Sequence, residues 1–470
     1  MRGQDGKIQI VVFILLAYSQ IVFAVEDINL KWNDLNMGGS TVMMDAMPHY
    51  PHRANTHSNI TVNQNDFMNS ATCGSCHTEI YQQWKNSMMA YSWDDPIYRA
   101  LLKLASEATD GAVDNFCTGC HTPIGLTSNQ INSEINRAPL DQEEHTLPGV
   151  DCESCHNMTG RTGIDNGAYQ LSPQKGQQPI KLGPRADAVS PFHDTAYSEF
   201  HTRSDFCGTC HNVTHPFNNV PIERTYDEWL ESSYAKDGVD CQTCHMKTYE
   251  GKAAIMGPER SDIASHAFTG GNSTVLSHLG SEYAADMARE FLRSAAEIEF
   301  VNLNPSLKSG TNNRITVKVK NVGAGHKLPT GFPEGREIWV DFAITDSLGN
   351  EIYRLGKIQN GKTEPNTRNF KVHLGDKNGN EVAIAVWDVT HIISDNRILP
   401  KGYGLAEFDV YLPEEAIGPF TLSATLNYWA FSQALVDYLL GEGVMKVDVV
   451  KMAEIEVVIP NDKASASHKN

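Results

Sequence analysis

Cys73-Gly74-Ser75-Cys76-His77 is the stretch from which the rest of the chain can be read. The same Cys-x-x-Cys-His spacing returns at Cys117–His121, Cys152–His156, Cys207–His211 and Cys241–His245, and these copies use all ten cysteines. Two thiols three positions apart, followed at once by an imidazole, form the pattern that attaches haem c. The thiols add to the porphyrin vinyls and the imidazole binds iron from one face. A disulfide scaffold gives no reason for a histidine after every second cysteine. Structural zinc would take its four ligands from paired knuckles, and five knuckles leave one over. The pattern therefore predicts five covalently attached haem c groups. Cys73, Cys76, Cys117, Cys120, Cys152, Cys155, Cys207, Cys210, Cys241 and Cys244 supply the thioether positions, and His77, His121, His156, His211 and His245 supply the first ligand to each iron.

Residues 73–245 allot about 35 residues to each motif, too little chain for separately folded domains. The macrocycles must share one core, with short helices and loops laid over them, and close packing makes electron transfer between them fast. The flanks suggest a duplication: Asp114-Asn115-Phe116 and Gly149-Val150-Asp151 precede the second and third motifs, and Ser204-Asp205-Phe206 and Gly238-Val239-Asp240 precede the fourth and fifth. One leading haem and two dihaem units is the economical description. Apolar spacing predicts helices over 79–89, from the Asp95-Pro96 start towards Asp110, over 225–234 and over 282–296.

From about residue 297 cysteine disappears and β-rich runs alternate with turn signals, at 314–321, 337–345, 382–389, 404–412, 420–428 and 444–459. Short strands at this spacing predict an antiparallel β-sandwich. The expected fold is α+β and multidomain: a signal peptide (1–24), an N-terminal arm (25–66), a haem-packed, mostly helix-and-loop cytochrome domain (67–296), the β-sandwich (297–461) and a disordered tail (462–470). Arg2 and Lys7, the apolar run from Ile10 and the Val22-Phe23-Ala24 site predict export to the periplasm or beyond, where covalent haem attachment takes place. A formal charge of −19 argues against nucleic acid and for small or basic redox partners.

A haem with both axial positions filled passes electrons, and one with an open position can bind substrate. No motif ends in lysine, the change that would point to a nitrite-reducing site. The stretch from Thr72 to Ser87, with Cys73-Gly-Ser-Cys76-His77 and Tyr81-Gln-Gln-Trp84, resembles the opening of cytochrome c-554-like multihaem cytochromes. So do Ser204 to Pro216 and Gly238 to Met246. This resemblance, over roughly residues 66–280, implies an exported electron-transfer protein with haems in close-packed pairs. Relatives carry a histidine after Trp-x-x-Ser-Met where this chain has Met89, so the first haem is either His/Met-ligated through Met89 or takes a ligand such as His57. His193, His215, His266 and His326 are the candidates for the other second ligands, with His145 and His201 in reserve. His326 lies in a Gly/Pro-shaped loop, and similar loops follow the haem region in relatives. The histidines of the arm, His49, His52 and His57, read as surface groups, as do His278, His373, His391 and His468. The function expected is a pentahaem electron carrier between redox proteins or a quinol-oxidising membrane complex, with docking or assembly through the β domain. The alternative is an oxidoreductase acting on a small nitrogen or sulfur compound at one open haem.

Overall fold

The computed structural model describes residues 49, 51–56, 62–138, 147–173, 178–332 and 335–462. These fall in one compact unit, Ser40–Asn470. The expected signal peptide, most of the arm, His57, His145, His468 and the tail from 463 lie outside the described residues.

Up to Arg293 the chain consists of short helices and two- or three-stranded sheets. The helix Pro96–Ala108 starts as the sequence predicts, because the Asp95 side chain accepts from the Ile97 and Tyr98 amides and proline occupies the first turn. The first predicted helix is shorter than expected, Thr78–Lys85. Thr225–Leu230 stops before Ser232, whose hydroxyl caps a separate turn at Ser233–Lys236. The arm is not a surface feature throughout. Asn55–Thr56 pairs in parallel with Tyr169–Leu171, and His52 is fully buried. Many apolar side chains here gather in small clusters, such as Ala54, Ile124, Leu126, Met158, Tyr169 and Leu171.

Two antiparallel sheets build the core of the C-terminal region, beside a further sheet of Glu381–Val382, Val372–Gly375 and His391–Asp395 and the short pair Ile358–Gln359 and Lys362–Thr363. One orders Ala296–Val301, Asn312–Asn321 and Tyr403–Tyr411; the other orders Glu351–Leu355, Glu337–Thr345, Phe420–Trp429 and Val450–Ile459, with Arg368–Phe370 also on Glu337–Thr345. Period-2 alternation sends Ala406, Phe408 and Val410 inward while Glu407 and Asp409 face water. Both sheets feed one core, where the Phe342 and Phe408 ring centroids lie 4.5 Å apart. One sequence expectation fails here and one element was not assigned. The run 382–389 holds only the two-residue strand Glu381–Val382 and a 3-10 turn at Val386–Asp388. Ahead of the last strand, a helix at Gln433–Leu440 was not foreseen, because its apolar residues read equally well as part of a β-rich stretch.

The two regions form a continuous body. Ile97, Val275 and Leu292 from the first belong to the same buried core as the strands of the second. Arg289 pairs with Asp448 at 2.6 Å, and Asn218 Nδ2 donates to the Val389 carbonyl at 2.6 Å.

Candidate haem centres

Each motif lies on or beside a single helical turn, at Ser70–Gly74, Asp114–His121, Cys152–His156, Ser204–Gly208 and Cys241–His245. Positions i, i+3 and i+4 of a helix share a face, so both thiols and the imidazole of a motif point the same way. Where the regular helix ends early, backbone bonds extend the turn: the His77 amide donates to Cys73 and the His211 amide to Cys207, both at 2.9 Å.

The motif imidazoles are held by their Nδ1 atoms. His77 bonds the Ala253 carbonyl (2.7 Å), His121 that of Ser92 (2.8 Å), His156 that of Leu182 (2.6 Å) and His245 that of Thr269 (2.7 Å). A carbonyl on Nδ1 fixes the proton there and turns Nε2 outward as a metal ligand. Burial depresses the pKa of His121 and His245 to about 4, which keeps both rings in the neutral, ligating form. His211 is the exception, because its Nδ1 faces the Glu223 carboxylate at 3.6 Å instead of a carbonyl. Burial acts to lower its pKa, but the bond and charge of Glu223 outweigh that and raise it to about 9. Nothing in the spacing marks Glu223, which reaches His211 by the pairing of Pro221–Glu223 with Val213–Thr214.

Three motif histidines face a second imidazole. The ring centroids of His77 and His193 lie 6.3 Å apart, those of His156 and His266 6.4 Å, and those of His245 and His326 6.3 Å, with interplanar angles of 32°, 24° and 15°. Two imidazoles bound to one metal from opposite sides need about 6.4 Å between centroids, given metal–nitrogen bonds of about 2.0–2.1 Å. Each partner also has Nδ1 on a carbonyl, of Asp194, Ala264 and Lys327 respectively, which leaves Nε2 towards its mate.

The other candidates differ in what they bond. Met89 is held through its carbonyl, which accepts from Ser92 Oγ (2.9 Å) and the Val150 amide (3.0 Å). The ring that faces His77 is that of His193, which was not foreseen at this motif; His57 lies outside the described residues. His215 is also misassigned by the sequence. Its Nε2 donates to the Trp387 carbonyl (3.0 Å) and its Nδ1 accepts from the Phe217 amide (3.3 Å), so both nitrogens are used. His201 lies beside His156, but its nitrogens bond Ser198 Oγ and the Cys155 carbonyl. His52, read as a surface group, packs against the second motif, with Nε2 3.6 Å from Cys120 Sγ. Gly119 and Gly167 permit this approach, since a Cβ on either would come within 2.1 and 1.9 Å of Nε2.

The duplication is real but differently divided. Tyr81 and Trp84 follow the first motif, and Tyr226 and Trp229 follow the fourth. In each case the tyrosine ring covers the glycine inside the motif, Gly74 or Gly208. The Trp84 indole donates to Val150 ahead of the third motif, and the Trp229 indole to Val239 ahead of the fifth, both at 2.8 Å. Thiols meet in the same pairs, Cys73 with Cys152 and Cys207 with Cys241, supported by Ser70 and Ser204. The repeated unit therefore joins motifs one and three, and four and five. The second motif is inserted, and its Cys120 touches Cys210 of the fourth. The shared Gly-Val-Asp flank concealed this, because it marks only the second member of each pair.

These residues fit haem. The donors come as facing pairs, and among the described residues no group of three or more His, Cys, Asp or Glu side chains could hold a metal ion by itself. Tyr98 Oη is buried without a protein partner beside the second motif, where the Tyr98 ring stacks on His121 at 3.6 Å.

Residues 72–157 match the family described as cytochrome c554 and c-prime. Among solved structures the chain is similar to a penta-heme cytochrome c552 from Thermochromatium tepidum, with 20% identity, 84% of this chain and 99% of that chain covered, and a TM-score of 0.61. That likeness carries the fold. Spo0M, a sporulation control protein from Bacillus subtilis (11% identity, 36% and 50% covered, TM-score 0.16), and the CARDB domain of PF1109 from Pyrococcus furiosus (15%, 36% and 93%, 0.16) overlap too weakly to carry an argument. No curated protein matches. The family match thus covers the first three motifs, and the chain as a whole shares the fold of a multihaem c-type cytochrome.

Proposed function

We propose that the protein is an exported pentahaem electron carrier, with one haem c at each motif. The observation that carries the reading is the set of three imidazole pairs at 6.3–6.4 Å. When bound, haem supplies one-electron ferric–ferrous chemistry. The chain's own residues hold Nδ1 protons on carbonyls, keep the ligating rings neutral and bring the attachment thiols of neighbouring motifs together, so that neighbouring groups would lie close enough for rapid transfer. The charge of −19 suits a basic partner protein and disfavours anionic ones. Export rests on the leader read at residues 1–24; among the described residues no helix is long and apolar enough to cross a membrane. A quinol-oxidising complex or a small carrier would deliver electrons, with the β region as the docking face.

A second reading is favoured by His121 and His211, which face no second imidazole among the described residues. One of these positions would take a small nitrogen or sulfur compound. Reduced-pyridine absorbance should return five haems per chain, and a lower count would sink the attachment reading. Electron paramagnetic resonance of the oxidised protein should show at least three low-spin centres, and fewer would overturn the imidazole pairs. A high-spin signal that shifts with hydroxylamine or nitrite would promote the second reading, and five low-spin centres would end it.

Glu223 yields a separate expectation. A carboxylate on Nδ1 makes an imidazole more basic and stabilises ferric iron. Glu223→Gln should therefore raise one midpoint potential and leave the others in place, by on the order of 59 mV for a tenfold change in a one-electron equilibrium. A redox titration in which all potentials stay put would show that Glu223 does not act on His211.

A further inference from the structure

We infer that Glu228 is the positioning residue for His326, and that a buried Glu228–Arg397 pair latches the β-region loop which supplies the second imidazole to the last motif. This rests on the reading of His326 as the partner of His245. Glu228 lies on the helix Thr225–Leu230 of the motif region, whereas Arg397 and His326 belong to the C-terminal half. Arg397 Nη1 meets Glu228 Oε1 at 2.8 Å, and their side chains are only 7% and 5% exposed. That pair crosses between the two regions, away from bulk water.

The other Glu228 oxygen acts on the loop directly. Oε2 accepts from the Lys327 amide at 3.2 Å and from Thr330 Oγ1 at 2.8 Å. Lys327 is the pivot, because its carbonyl bonds His326 Nδ1 at 2.9 Å. One carboxylate thus fixes the residue whose carbonyl orients the ring. The remaining bonds close the loop around this point. Asn321 Nδ2 donates to the His326 carbonyl (2.9 Å), and its Oδ1 accepts from the Ala324 amide (3.0 Å). Leu328 and Ile398 exchange backbone bonds at 2.9 Å. Asp395 bridges Lys327 Nζ and Arg397 Nη2, both at 2.8 Å. A buried carboxylate that accepts from a backbone amide and a hydroxyl while its other oxygen faces a guanidinium is costly to disturb, because either partner alone is left charged or unbonded in the interior. The helix Thr225–Leu230 also carries Trp229, whose indole bonds Val239 just ahead of the last motif. A single helix thereby ties the motif and the partner loop to the same frame.

The test uses the full holoprotein and three variants: Glu228→Gln, the paired Glu228→Leu with Arg397→Met, and His326→Ala. The paired change removes both charges, so no uncompensated ion is buried and the chain keeps its fold. Spin state is read by electron paramagnetic resonance, cyanide affinity by optical titration, and stability by thermal melting. The expected result is that both Glu228 variants turn one low-spin centre partly high-spin and raise cyanide affinity at one haem by roughly tenfold or more, as loss of a charge-assisted bond implies. His326→Ala should convert the same centre fully. Lowered melting with unchanged spectra in the Glu228 variants, while His326→Ala still converts one centre, would make Glu228 a structural residue only and overturn the proposal. An unchanged spectrum in His326→Ala itself would overturn the ligand reading on which it rests.

Discussion

His193→Ala is expected to open the first motif's haem to added ligands and to raise its midpoint potential by on the order of 0.1 V, a fraction of the roughly 0.8 V that axial ligation spans. The same measurements on Met89→Leu should find no change. His193 is the ring that faces His77, at 6.3 Å, and the Asp194 carbonyl at 3.0 Å holds its Nδ1 so that Nε2 points inward. Removing it takes away one electron-donating imidazole, which destabilises ferric iron most. Met89 bonds Ser92 and Val150 through its carbonyl, which any residue supplies equally, and Ser92 in turn holds His121. The contrast between the two variants decides the matter. A potential that moves with Met89 and not with His193 would restore the His/Met assignment that the sequence suggested.

Phe342→Ala is expected to cost about 3–5 kcal/mol, the usual range for emptying a buried aromatic site. The ring is fully buried on the central strand of the larger sheet, 4.5 Å from Phe408 of the smaller sheet and 6.2 Å from Phe300. Its loss leaves a cavity where the two sheets meet, and neither sheet can close over it without breaking register with Phe420–Trp429. Chemical denaturation followed by circular dichroism measures the effect. Tyr438→Ala, at an exposed position on the helix Gln433–Leu440, should stay within about 0.5 kcal/mol. A loss below about 1 kcal/mol for Phe342→Ala would mean that the sheets do not depend on a shared core.

The strands Glu337–Thr345 and Phe420–Trp429 were legible because alternation with period 2 is written into the residues themselves. The helix at Pro96 was legible because its cap is made by neighbours in the chain. The helix Gln433–Leu440 was not, since a short apolar run has no period of its own and takes its form from the surface it packs on. The division of the duplication was misread for a related reason. Both Gly-Val-Asp flanks are visible in the sequence, but which partner each faces depends on where the indoles of Trp84 and Trp229 reach.

The sequence by itself determined the five motifs and the local geometry of each, because two cysteines and a histidine at this spacing fall on one face of a helical turn. Only the tertiary structure decided what stands opposite. A facing imidazole has to arrive across the core, and any segment can bring it. So His193, His266 and His326 reach their partners from loops distant in the chain, His215 is spent on the Trp387 carbonyl, and Glu223 faces the one motif histidine that no carbonyl holds. Local geometry is encoded in spacing, whereas an encounter across a core depends on how the whole chain packs.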